Sequence, residues 1–114
     1  MAVKIKRVYD PAAKSDGYRV LVDRLWPRGI KKENAAVDEW ANEIAPSQEL
    51  RHWFGHDPAR FDEFRRRYIE ELHGHEEELR GLKDRARKGT VTLLFGARDT
   101  EHNNAAVLAE VLRS

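Results

Sequence analysis

Two arginines, an aspartate and an indole crowd the segment "LVDRLWPRG", residues 21–29. Val20, Leu21 and Val22 begin it as a buried strand would; Asp23, Arg24, Trp26 and Arg28 follow, and the chain then turns on Pro27 and Gly29. Packing alone does not call for that mixture. A guanidinium forms planar, paired hydrogen bonds to phosphate or carboxylate, and an indole supplies a flat apolar wall. Arg24 and Arg28 therefore read as an anion clamp with Trp26 beside them. The three have the same parity along an extended chain, so they share one face if the strand persists that far. In the competing reading Arg24 pairs with an internal carboxylate such as Asp57 or Asp99, and Trp26 belongs to the core.

The second segment with chemical potential is "GARDTEHN", residues 96–103. A helix starting near Asp99 or Thr100 would aim free N–H groups and a positive dipole end at an anion. Gly96 admits close approach of backbone or ligand. In the first turn of that helix His102 would stay mostly neutral, which suits a hydrogen-bond donor or a general base. Asp99 and His102 are thus the acid/base candidates, and Arg98 and Asn103 join the ligand set. Against this, Asp99 would simply cap the helix while His102 is solvated.

"HWFGHDP" holds His52 and His56 four residues apart, a spacing that can ligate metal on a helix. Gly55 interrupts that helix and no third ligand is evident, so no metal site is expected. His56 is assigned instead to a loop over the site, with Asp57 capping the next helix. Ser47 reads as a cap rather than a nucleophile. His73 and His75 fall beside an acidic run and read as surface. The arginines 65–67 are expected to meet Glu70 and Glu71 on a solvated helix face. Neither a phosphate-binding glycine loop nor a dinucleotide fingerprint is present.

These side chains need elements to hold them. "VKIKRVY" (3–9) alternates like an edge strand, and "DPAAKSDG" (10–17) is turn chemistry. "YRVLVDRLW" (18–26) and "TVTLLF" (90–95) are apolar on both faces, as adjacent central parallel strands would be. Residues 36–46 fit either a helix or a short strand. Leu50, Trp53 and Phe54 mark a short helix after Ser47, and Asp57-Pro58 starts another. Along the latter, over 58–73, Phe61, Phe64, Tyr68 and Leu72 form a stripe for burial. Leu79, Leu82 and Ala86 place a helix over 76–88, closed by Gly89, and "NAAVLAEVL" (104–112) is the last, with Val107, Leu108, Val111 and Leu112 inward. Strands interleaved with helices imply a single α/β domain over 1–114, a small, mostly parallel sheet flanked by helices. In such sheets ligands sit at the carboxyl ends of the strands. There Arg24, Arg28, Arg98, Asp99, His102 and Asn103 are expected to gather at one rim.

"VDRLWPRGI", "APSQELRHWFGHDP", the F-x-x-R-Y-x-x-E-L pattern of 64–72 and "GTVTLLFGARDTEHNNAAVL" also occur in this order in a known family. From about Val3 to Leu112 the chain resembles the YeaO-like branch of the DUF488 family. That resemblance implies a compact α/β domain and no established reaction. The wider family tends to carry a Cys-His pair near the start of the last helix, where this chain reads "EHNN" (101–104).

Bulk composition narrows the classes. The 114 residues include 21 basic and 20 acidic side chains, a net charge of +1. No global field steers such a chain to nucleic acid, and no winged helix-turn-helix pattern or basic recognition helix is visible. Cysteine is absent, which excludes disulfides, thiol catalysis and thiolate metal sites. No signal-peptide core or membrane-length apolar run occurs, so a cytoplasmic location is expected. The function expected is binding of an anionic, phosphate-bearing small molecule, with acid/base chemistry by Asp99 or His102 if there is a reaction. The rival class is a binding or regulatory module contacting a protein or nucleic-acid partner. The cofactor, the physiological ligand and the oligomeric state are not set by the sequence.

Overall fold

Val20, Leu21 and Val22 lose all contact with solvent, as do Val91, Leu93 and Leu94. Side chains on both faces of a strand are sealed in this way only when the strand is interior and both faces are covered. In the computed structural model, which describes residues 2–114, these runs fall on β2 (Tyr18–Leu21) and β4 (Thr90–Phe95). They pair in parallel, Tyr18 opposite Val91 and Leu21 opposite Leu94. β1 (Ala2–Arg7) pairs with the other side of β4, and β3 (Glu39–Trp40) with the other side of β2. The sheet is wholly parallel, in the order β1-β4-β2-β3. The expected α/β architecture holds, with the two double-sided strands adjacent and central and "VKIKR" at an edge.

Helices cover the sheet: α1 (Lys32–Ala35), α2 (Gln48–Phe54), α3 (Phe61–Leu72), α4 (Glu76–Lys88) and α5 (Asn104–Arg113). Ser47 caps α2, its hydroxyl accepting from Leu50 N–H at 3.1 Å. Asp57 caps a 3-10 turn, Pro58–Arg60, that leads into α3. On α3, Phe64, Tyr68 and Leu72 are buried, and Phe61 packs half-buried against the same core. From α5 come Ala105, Val107, Leu108, Ala109 and Leu112, with Val111 at the margin. A smaller apolar group on the opposite face joins Val8, Leu21 and Leu94 to Trp26, Ile30, Val37 and Trp40.

Several expectations need correction. β2 stops at Leu21 instead of running to Trp26. The last ladder bond is Val22 N–H to Leu94 C=O at 3.0 Å. The next donor on the neighbouring strand, Gly96 N–H, goes to the Asp23 carboxylate at 2.8 Å, and the Asp23 carbonyl accepts from the Trp40 indole at 2.8 Å. A side chain has replaced backbone in the ladder, so the strand ends. The ambiguous 36–46 stretch resolves into β3 followed by a 3-10 turn, Asn42–Ile44. The final helix starts at Asn104, not near Asp99 or Thr100, because Asn103 caps it by accepting from Ala106 N–H at 2.8 Å. Arg66 and Arg67 pair with Glu63, and Arg65 pairs with Glu110 on α5. Glu71 is absent from those pairs because it turns inward to Ser47, taking its N–H at 2.9 Å and its hydroxyl at 2.6 Å.

Candidate functional site

At the carboxyl ends of β2 and β4 lies a cleft of about 960 Å3. One wall is the segment from Asp23 to Arg28, which leaves the sheet once β2 has ended. The facing wall is Pro46 and α2, and the floor includes Gly96, Ala97 and the start of α5 at Asn103 and Asn104. Phe54 and Phe64, buried and stacked at 4.2 Å between ring centroids, add an apolar surface.

The cleft gathers Arg24, Trp26, Arg28, Asn103 and His56 from among the sequence-predicted residues. They are held differently. Arg24 is half-buried, and its guanidinium donates to the Pro46 and Ala45 carbonyls at 3.0 and 3.3 Å. It thereby ties the end of β2 to the chain entering α2, and pairs with neither Asp57 nor Asp99. Arg28 is exposed, while its carbonyl accepts from the Tyr9 hydroxyl at 3.0 Å. Trp26 meets both readings: it lines the cleft, but its ring packs edge-on against Trp40 at 5.4 Å and its N–H donates to Ile30 C=O at 2.7 Å. With β2 ended at Leu21, strand parity does not put Arg24, Trp26 and Arg28 on one face; the irregular segment brings them to one cleft. His56 is exposed at a φ of 56°, a left-handed conformation reached just after Gly55 at 55°.

Arg98, Asp99 and His102 do not line this cleft. The expected single rim is therefore split. Asp99 closes a turn, its carboxylate accepting the N–H groups of Glu101 and His102, each at 2.9 Å. Its second oxygen meets His102 Nδ1 at 2.9 Å, and the His102 ring stands edge-on to Phe61 at 5.2 Å. Hydrogen bonds from the His102 and Glu101 backbone, and then from the His102 ring, hold the Asp99 carboxyl below its usual range. Arg98 is exposed on the same turn. Asn103 is almost fully buried and spends both side-chain ends on the fold, donating to Asp99 C=O and capping α5.

With this geometry in view, comparison with known proteins is decisive for kinship. Residues 2–114 match the family described as the inactive DUF488-N3 subclade. This chain belongs to the DUF488 family. It is 54% identical to the uncharacterised protein YeaO of Escherichia coli (strain K12) over 114 residues, 100% of this chain and 99% of that protein. It is 47% identical over 112 residues to the uncharacterised proteins Mb3100c of Mycobacterium bovis and Rv3073c of Mycobacterium tuberculosis, covering 96% of this chain and 92% of each relative. No solved structure matches it significantly.

Within this DUF488 cleft the sequence reading passed over Asp23, Arg51 and Asn104 as site residues, and took His52 only as a metal candidate. Asp23 is half-buried where the sheet ends, accepting from Gly96 N–H and, at 3.1 Å, from Asn104 Nδ2. Burial pushes its carboxyl above the ordinary value, opposed by those hydrogen bonds and by the charges of Arg51 and His56. An acid immediately after three apolar strand residues was the signal available for it. Arg51 and His52 were legible from helical spacing, since Gln48, Arg51 and His52 stand at i, i+3 and i+4 on α2. Three arginines and two histidines, counting Arg24, Arg28, Arg51, His52 and His56, thus share the cleft with two carboxylates, Asp23 and Glu49. No group of three metal-ligating side chains occurs among the described residues, and no helix there is long and apolar enough to cross a membrane.

Proposed function

We propose that this chain binds an anionic, phosphate-bearing small molecule in the cleft at the carboxyl ends of β2 and β4. The observation that carries the reading is the pair Arg28 and Arg51, exposed cations that line one cleft and stand outside every ion pair among the described residues. Several surface arginines elsewhere meet carboxylates, as Arg65 does Glu110 and Arg87 does Asp84. Exposed Arg80 and Arg98 do not, and what sets Arg28 and Arg51 apart is that they share one cleft. A phosphate accepts the planar fork that a guanidinium presents. His52 and His56 add donors, and the start of α5 adds a positive dipole end at the cleft floor.

The reading is one of binding. The Asp99–His102 pair, the acid/base candidate, stands off the cleft lining, and the description of the matching subclade as inactive accords with a site that holds a ligand without turning it over. The test is the thermal unfolding midpoint with added phosphate, sugar phosphates and nucleotides. A ligand that binds only the folded chain raises that midpoint. The expected result is a dose-dependent rise that Arg51→Ala diminishes; no shift with any of these anions overturns the reading.

A further inference from the structure

Anions alone do not account for Asp23, a carboxylate placed among the cations of the same cleft. Its two oxygens accept one hydrogen bond each, from Gly96 N–H at 2.8 Å and Asn104 Nδ2 at 3.1 Å. An ionised carboxylate offers about four lone-pair positions, so each oxygen keeps acceptor capacity toward the cleft. The partner backbone is close: a Cβ at Gly96 would lie 3.1 Å from Asp23 Oδ2. Asp23 is thus fixed in place before any ligand arrives. Phe54 and Phe64 line the same cleft as a stacked pair, 21° from coplanar, while Arg28 and Arg51 are its exposed cations. An acceptor, the rims of two buried aromatic rings and two exposed cations lining one cleft describe a ligand with three matching parts.

We propose, building on the anion-binding reading above, that the cleft takes a phosphate ester of a planar ring bearing N–H donors, the chemistry of a purine nucleoside monophosphate. Asp23 is the specificity-determining residue, accepting the N–H groups of the ring edge, and Arg28 and Arg51 hold the phosphate. A charged acceptor discriminates strongly, because a ring lacking the donor covers the half-buried carboxylate without satisfying its remaining acceptor capacity.

Calorimetric titration of the full chain with four probes tests this: inorganic phosphate, ribose 5-phosphate, guanosine 5′-monophosphate and purine-riboside 5′-monophosphate. The guanine edge carries N1–H and an amino group; unsubstituted purine carries neither. The guanosine ester is expected to bind about ten- to a hundredfold tighter than the purine-riboside ester, the range of a charge-assisted hydrogen bond. Asp23→Asn is expected to close that gap while still binding the purine-riboside ester. Equal affinities in the wild-type chain, with phosphate and ribose 5-phosphate bound, overturn the role of Asp23 and leave the anion site standing. A gap that survives Asp23→Asn also overturns it. Failure of all four probes to bind overturns both readings.

Discussion

Asp16 and Arg19 bury opposite charges against each other, with side chains 3% and 6% exposed. The guanidinium also donates to the Ala36 and Ala35 carbonyls, and Lys6 reaches the same carboxylate at 3.1 Å. Burial alone would raise the Asp16 carboxyl, but hydrogen bonds from Ala13 N–H, Lys6 and Arg19 outweigh it and hold the group at about 2, from an ordinary 3.8. A depressed carboxyl stabilises the fold above its unfolded value, and the contribution fades as pH falls toward the folded one. Asp16→Asn is therefore expected to cost about 3–5 kcal/mol at pH 7, since it leaves Arg19 buried without its partner. That penalty should shrink between about pH 4 and 2, where the wild type loses the same interaction. Urea midpoints for both proteins across that range check it, and parallel curves would refute it. None of this was legible in sequence: "SDGYR" reads as a turn entering a strand, and the ion pair exists only once the turn folds back on the strand.

At the scale of elements, periodicity found what packing alone determines. α3 and α4 were legible because their apolar stripes repeat at helical spacing, and β4 because its apolar run needs cover on both faces. Phe64 sits at the centre of the α3 stripe, 1% exposed and touching Phe54, Phe61 and Tyr68. Phe64→Ala should cost about 3–5 kcal/mol, read from a denaturation midpoint; one near wild type would refute its place in the core. Gly17 is constrained differently. It enters β2 at a φ of 64°, and a Cβ there would lie 2.3 Å from the Thr90 carbonyl oxygen. Gly17→Ala should destabilise by more than the roughly 1 kcal/mol of an ordinary glycine replacement, through both strain and collision. The end of β2 eluded the sequence, and the start of α5 was read both at Asn104, where it lies, and near Asp99. The two boundaries are set by Asp23 and Asn103, whose side chains take over backbone hydrogen bonds. Hydrophobic pattern carries no trace of such exchanges.

At the scale of the whole molecule, the parallel order β1-β4-β2-β3 opens the cleft, because β2 and β4 finish side by side and their following segments part. That much followed from two double-sided apolar runs. Which charged residues face the opening followed only in part: Arg24, Arg28 and His56 do, but the turn at Asp99 diverts Arg98 and His102 while α2 brings in Arg51. Arg24 and Arg28 now separate the stability of the fold from the affinity of the site. Arg24 joins the segment leaving β2 to the segment entering α2 through two carbonyls at 3.0 and 3.3 Å, so it holds the two walls of the cleft at their spacing. Arg24→Ala should lower stability by about 1.5–3 kcal/mol, the scale of hydrogen bonds to a charged group, and weaken phosphate binding because the walls are released. Arg28 is exposed and makes no such bridge with its side chain. Arg28→Ala should leave stability within about 0.5 kcal/mol of wild type, as surface changes do. Its binding of a phosphate ester should nevertheless weaken by about 1.5–3 kcal/mol. Chemical denaturation without ligand and calorimetric titration with guanosine 5′-monophosphate measure the two effects separately. A stability loss in Arg28→Ala equal to that in Arg24→Ala, or unchanged affinity in Arg28→Ala, would show that the two arginines do not divide the work between wall and ligand.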